Sequence, residues 1–177
     1  LDSWEQNGID YNNDDIIDLD LPALGADWQH KDLFVEVDYM PGHYPDPNAM
    51  TDVASAFANA PVTNPDGITG IRLHIDVDEQ IPHQDLINRD FTKGFDGLKD
   101  LYFGTATQRS DTNSLNVLDA KNLVYRYCLF VHKISQWNGT QDVETNYAGM
   151  GEMPGNDFLV AGGSFVGGLK TTRDDHA

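Results

Sequence analysis

Two stretches of alternating apolar and polar residues, separated by a helical pattern, constrain the fold of this chain most strongly. Residues 33–40 (LFVEVDYM) and 71–78 (IRLHIDVD) alternate with a period of two, which is typical of β-strands. Between them, Asp46 and Pro47 predict the start of a helix, because an acidic N-cap is often followed by proline at the first helical position. Pro61 is expected to end it. A strand, a helix and a second strand in this order indicate a layered α/β structure.

The remainder of the chain continues the same pattern. A short helix is expected over residues 95–102, closed by Gly104, and a further helical region over 115–124. Residues 125–134 are strongly apolar and predict a central strand, and residues 158–161 predict a short strand between glycines. The sequence therefore predicts the α/β (α+β) class with a mixed sheet.

The charge of the chain is strongly negative. The 177 residues contain 29 Asp and Glu against 11 Lys and Arg, a net charge of −18. Such a surface repels nucleic-acid phosphates and anionic membranes, so we expect neither partner. No apolar run approaches the ~18 residues of a membrane span. The acidity fits either calcium binding or a high-salt habitat, and composition does not separate the two. We expect residues 1–29 to form an acidic, ligand-ordered segment and residues 30–177 to form the body of the domain.

The acidic segment contains the spacing of an EF-hand-like calcium loop, with oxygen ligands at positions 1, 3, 5, 7 and 9. The corresponding residues are Asp10, Asn12, Asp14, Ile16 (through its carbonyl) and Asp18. Position 6 is Asp15 instead of glycine, and position 12 is Leu21 instead of glutamate. A further ligand is therefore required, from Asp20 or from the Asp2 and Glu5 pair. We predict a calcium site here, a solvated acidic turn being the alternative, and expect Ile16 and Ile17 to anchor the loop in the core.

Other metal-binding patterns are weaker. His74, Asp76 and Asp78 share one strand face, where a solvated surface is the more usual arrangement. His43 and His83 lie in proline-bearing loops, and a distant pair of histidine ligands remains open. The sole cysteine, Cys128, has apolar neighbours and is expected to be a buried hydrophobic residue.

Several segments resemble the secreted microbial, metzincin-like zinc metallopeptidases. The similarity covers most of residues 1–176 and includes the calcium-loop-like start. The matching segments are residues 30–40 (HKDLFVEVDYM), 56–62 (AFANAPV), 64–67 (NPDG), 70–76 (GIRLHID), 120–121 (AK), 125–128 (YRYC) and 149–158 (GMGEMPGNDF).

The resemblance implies a metzincin-like upper subdomain: a twisted, mostly parallel sheet with backing helices. It also implies that the strand nearest the cleft pairs with the backbone of a peptide or protein substrate, a role that falls here to Phe158, Leu159 and Val160 or to their flank. In the family, zinc is held by an H-E-x-x-H-x-x-G-x-x-H helix whose glutamate activates water.

The zinc motif does not occur in these 177 residues, which end at Thr172–Ala177, about where the resemblance would place that helix. We therefore assign no catalytic residue and no zinc ligand, and expect a fragment of an extracellular, calcium-stabilised enzyme that is inactive alone. The alternative hypothesis is a non-enzymatic, calcium-ordered extracellular binding module.

Overall fold

The protein is described by a computed structural model that covers residues 2–163. The described helices are α1 (Asp2–Asn7), α2 (Pro47–Ala58), α3 (Phe95–Tyr102), α4 (Ala106–Ser110) and α5 (Ser114–Asn122), with a 3₁₀ turn at Phe91–Lys93. The described strands are β1 (Asp32–Tyr39), β2 (Arg72–Gln80), β3 (Ile87–Asn88), β4 (Tyr125–Val131), β5 (Ile134–Trp137), β6 (Asp142–Glu144), β7 (Gly149–Gly151) and β8 (Phe158–Ala161). None of the helices described has the length and apolar character that a membrane crossing requires.

The strands form two sheets. The larger has the order β2-β1-β4-β8-β7, and the smaller has the order β3-β5-β6. β4 and β8 are parallel, with Cys128 opposite Phe158, whereas β7 and β8 are antiparallel. In the smaller sheet β3 and β5 are parallel and β5 and β6 antiparallel. The prediction of an α/β chain with a mixed sheet is therefore confirmed.

The chain divides into two compact units. The first comprises the described residues up to Val35, Thr51–Ile75 and Gly104–Tyr125, so the acidic N-terminal segment belongs to a unit that also contains later parts of the chain. The second comprises Glu36–Met50, Asp76–Phe103 and the described residues from Arg126 onward. Residues 172–177, where the resemblance would place the approach to the zinc-binding helix, lie outside the described part.

A buried asparagine organises the loops of the first unit. Asn64 is 4% exposed, and its amide donates to the carbonyls of Ile68 and Gly70 at 2.8 and 2.9 Å. Its side-chain oxygen accepts from the Lys31 N–H at 3.1 Å. Gly70 has a φ of +112°, and a Cβ there would lie 2.2 Å from the Ala58 carbonyl oxygen, so the turn requires glycine.

The core of the second unit is built around β4. Tyr127, Leu129 and Val131 are buried, as is Leu159 on β8. The rings of Phe95 and Phe103 meet the Tyr127 ring edge-on at 5.7 and 5.5 Å, so α3 packs on the sheet through aromatic contacts. Cys128 is 1% exposed, which confirms its prediction as a buried residue, and burial raises the pKa of its thiol.

The apolar run over residues 125–134 is not one strand. β4 ends at Val131, and Ile134 begins β5, which pairs with β3 in the smaller sheet. His132 and Lys133 therefore form the link between two sheets, a division that the uniform apolar composition of the run did not reveal.

Candidate functional site

The residues of the predicted calcium site lie in one closed loop, Asp10–Asp18, called here the acidic loop. An isolated antiparallel bridge between Ile9 and Leu19 closes its base, and these two side chains are 1% and 5% exposed. Ile16 and Ile17 are 61% and 47% exposed, so the expectation that they anchor the loop is wrong. Ile9 and Leu19, which flank the loop, anchor it instead, because their backbones pair and both residues are buried.

Aspartate side chains hold the turn of the acidic loop. Asp10 accepts hydrogen bonds from the Asp14 and Asp15 backbone N–H groups at 3.1 and 2.8 Å. Asp14 accepts from the Ile16 N–H at 2.9 Å. Asp15 has a φ of +68°, a left-handed conformation that aspartate adopts more readily than most residues. Asp15 thus adopts a left-handed conformation at position 6 of the loop, where glycine was expected.

The far end of the acidic loop is fixed by Asp18. It accepts from the Tyr11 N–H at 2.7 Å and from the Asn113 side-chain amide at 2.6 Å. Asp20, considered above as an additional ligand, instead accepts from the Ala23 N–H at 3.0 Å, and Glu5 lies on α1. The structure brings the predicted ligands into one loop, while the source of a further ligand stays a prediction.

The strand that was expected to bind substrate is not at the edge of the sheet. β8, with Phe158, Leu159 and Val160, pairs with β4 on one side and with β7 on the other. Its backbone groups are thus engaged along both sides, and among the described strands the edge position belongs to β7, in the flank of that segment.

The hydrogen-bond pattern shows which backbone groups of β7 face outward. The Ala161 N–H donates to the Ala148 carbonyl at 2.8 Å, and the Glu152 N–H donates to the Asp157 carbonyl at 2.9 Å. In an antiparallel ladder, bonded and non-bonded residues alternate. Gly149 and Gly151, between these bonded positions, therefore direct their N–H and C=O groups away from β8.

A second acidic group lies in the second unit. Carboxylate oxygens of Glu36, Asp38 and Asp78 lie within 4.8 Å of one another, and within residues 2–163 no other trio of His, Cys, Asp or Glu meets that spacing. Glu36 and Asp38 are fully buried on the same face of β1. Three carboxylates at this spacing suit a hard divalent cation, which takes oxygen ligands.

Two hydrogen bonds hold Asp38 within this acidic trio. It accepts from the Tyr127 hydroxyl at 2.6 Å and from the Glu79 N–H at 3.0 Å. Burial raises the pKa of Asp38 to about 6, although both hydrogen bonds favour the ionised form. Burial and the Asp38 charge also raise the pKa of Tyr127, so the phenol remains a proton donor to the carboxylate.

The histidines are distributed differently from the sequence-based hypotheses. His74 bonds Asp32 at 2.6 Å and stacks on Phe34 with ring centroids 4.3 Å apart, so it is part of a structural contact in the first unit. In the second unit His43 and His132 meet, with Nε2 of the former 3.1 Å from Nδ1 of the latter. This pair was not predicted, because His43 follows one predicted strand whereas His132 lies inside the apolar run that was expected to form another.

Comparisons with known proteins add no identification. No family model matches the chain, and neither a curated protein nor a solved structure matches it significantly.

Proposed function

We infer that this chain is part of a secreted, calcium-stabilised zinc metallopeptidase and that its sheet receives an extended peptide at the edge strand β7. The observation that carries the proposal is the outward direction of the Gly149 and Gly151 backbone groups. They lie within residues 149–158, one of the segments that resemble the family. The mixed sheet with helices is compatible with a metzincin-like upper subdomain.

The contribution of this chain is to bind and orient the peptide. An added strand forms main-chain hydrogen bonds with the edge, which fixes the direction and register of the peptide. The side chains at this edge present little obstruction, because two of the three β7 residues are glycines. The net charge of −18 favours basic or neutral peptides over acidic ones.

Zinc in such an enzyme supplies an activated water and polarises the scissile carbonyl. The H-E-x-x-H motif that would hold it does not occur in the 177 residues, so no residue of this chain is assigned to that zinc or to the general base. The acidic loop supports the calcium part of the proposal, because its carboxylates are held in one turn by backbone donors.

The test is a cleavage assay on the protein as its source produces it. The proposal expects hydrolysis of unstructured peptides that 1,10-phenanthroline abolishes and added Zn²⁺ restores. Peptide cleavage that resists chelation, or none with zinc and calcium supplied, would overturn it.

The second candidate is a calcium-ordered binding module, which the missing zinc motif favours. It predicts that the natural protein binds extended peptides in the presence of calcium and releases them uncleaved. Mass spectrometry of the peptide after incubation separates the two functions, because only a peptidase yields new termini.

A further inference from the structure

Three histidines of the second unit follow three neighbouring strands of the larger sheet. His43 follows β1, His83 follows β2, and His132 follows β4. The strand ends lie side by side, since the Met40 N–H donates to the Phe130 carbonyl and the Ile81 N–H to the Tyr39 carbonyl, each at 2.9 Å. The carboxyl ends of strands in open α/β sheets are where ligands commonly bind.

The closest pair is His43 and His132. A Pro-Gly turn, in which the His43 N–H donates to the Met40 carbonyl at 2.9 Å and Gly42 has a φ of +82°, directs the chain back toward β4. Nε2 of His43 and Nδ1 of His132 are 3.1 Å apart. Two imidazole nitrogens bound tetrahedrally to one zinc ion at about 2.0–2.1 Å would be about 3.3 Å apart.

His83 lies next to this pair. Its ring centroid is 5.2 Å from that of His132, with the rings inclined by 51°. In its present orientation its Nε2 is 3.1 Å from the Asp85 carboxylate, an exposed contact that the ring can exchange for a metal ion. The three nitrogens do not all lie within 4.8 Å of one another, so His83, whose side chain is 42% exposed, must turn inward to complete the set.

Two glycines make room for the imidazoles. Beyond the end of β8, the Gly162 N–H donates to the Val131 carbonyl and the Gly163 N–H to that of His132. A Cβ at Gly162 would lie 2.7 Å from Nδ1 of His43, and one at Gly163 would lie 2.6 Å from Nδ1 of His132. Distances below 3.0 Å essentially do not occur for real Cβ atoms, so any side chain here would displace a ring.

We propose that His43, His83 and His132 bind a divalent transition metal of the zinc class at the carboxyl end of the sheet. Imidazole ligands suit Zn²⁺, Cu²⁺ and Ni²⁺ rather than Ca²⁺ or Mg²⁺. Three protein nitrogens leave a fourth tetrahedral position for water or an added ligand. The ion would tie together the segments that follow β1, β2 and β4. This site is separate from the acidic loop and does not depend on the peptidase proposal.

The experiment is a titration of the untagged chain, in buffer with excess calcium, with ZnCl₂ by calorimetry and with CoCl₂ by absorption spectroscopy. We expect one equivalent of Zn²⁺ and, for Co²⁺, the intense visible bands of a tetrahedral nitrogen site. His43→Ala and His132→Ala should each weaken zinc binding by more than the roughly 10–100-fold typical of losing an outer-shell partner. Gly162→Ala should weaken it while all three ligands remain.

The control is His74→Gln, which removes an imidazole outside the cluster and keeps a side-chain amide to donate to Asp32. Its zinc affinity should equal that of the unchanged chain. Far-UV circular dichroism of the metal-free variants checks that each is folded. The proposal is overturned if no stoichiometric zinc binding occurs, or if folded His43→Ala and His132→Ala variants bind zinc as tightly as the original chain.

Discussion

Lys99 Nζ lies 2.8 Å from Asp157 Oδ2, and the other oxygen of Asp157 accepts the Tyr127 N–H at 2.8 Å. The Asp157 side chain is only 5% exposed, so one carboxylate links α3, β4 and the start of β8 inside the second unit. Removing one partner of a buried ion pair leaves the other charge uncompensated. Asp157→Ala should therefore lower the free energy of unfolding by about 3–5 kcal/mol, measured by urea denaturation.

The matched control is the exposed pair of Lys93 and Asp90, which lie 3.0 Å apart with side chains 55% and 46% exposed. Solvent-exposed ion pairs contribute little because water and salt screen them. Lys93→Ala should thus leave the urea midpoint nearly unchanged. If both substitutions shift the midpoint equally, the buried linkage is not what stabilises this region.

Calcium should raise the melting temperature of the chain through the acidic loop. An ion that binds only the native state stabilises it by mass action. Asp14→Ala removes a predicted ligand and should abolish the calcium-dependent shift, measured for each protein against its own calcium-free state. Asp52→Ala, which removes an exposed acid from α2, should retain the full shift. A full shift in Asp14→Ala would place the stabilising ion outside the acidic loop.

Asp38 should make the folded state less stable as the pH rises. A salt-bridged aspartate has the opposite effect, because its pKa is lowered on folding. Burial raises the pKa of Asp38 from 3.8 to about 6, so between these values the folded state holds a proton that the unfolded state releases. The stabilisation that this bound proton gives the folded state is complete below pH 3.8 and is lost as the pH rises through 6. The corresponding loss of stability is about 3 kcal/mol.

The measurement is urea denaturation of the original chain and of Asp38→Asn between pH 4 and 7. As the pH rises from 4 to 7, the unfolding free energy of the original chain should fall relative to that of Asp38→Asn, because Asp38 ionises and the amide does not. A difference that is independent of pH would mean that Asp38 titrates alike in the folded and unfolded states.

The edge of β7 should be sensitive to the loss of one backbone N–H. Gly151→Pro removes an outward-facing donor without removing a donor of the β7–β8 ladder, and it should abolish peptide binding, measured by fluorescence anisotropy. Gly151→Ala keeps the N–H, and its Cβ would meet no atom within 4 Å, so it should bind normally. Equal binding by both variants would exclude strand addition at β7.

The long, periodic elements could be predicted from the sequence. β1 and β2 lie within two residues of the expected limits, and α3 occupies the predicted residues 95–102. Gly104, expected to close that helix, has a φ of +85°. These elements could be predicted because the sequence of each shows a periodic pattern of apolar residues or residues typical of helix ends.

The short elements and the clusters could not be predicted. β3, β6 and β7 have two or three residues each, too few to show a period, and they are defined by their pairing, β3 and β6 with β5 and β7 with β8. Glu36 and Asp78 meet only because β1 and β2 are neighbours in the sheet. His43 and His132 are separated by 89 positions, and no local spacing indicated that they would meet.

The composition of β7 has a consequence for selectivity, if peptides dock there as proposed. A Gly-Met-Gly strand offers one side chain in three residues, so a docked peptide would be held through its main chain and its own side chains would meet little of the edge. Peptides of many different sequences would then bind the β7 edge equally well. Any selectivity between them would have to come from contacts of their side chains with other parts of the protein.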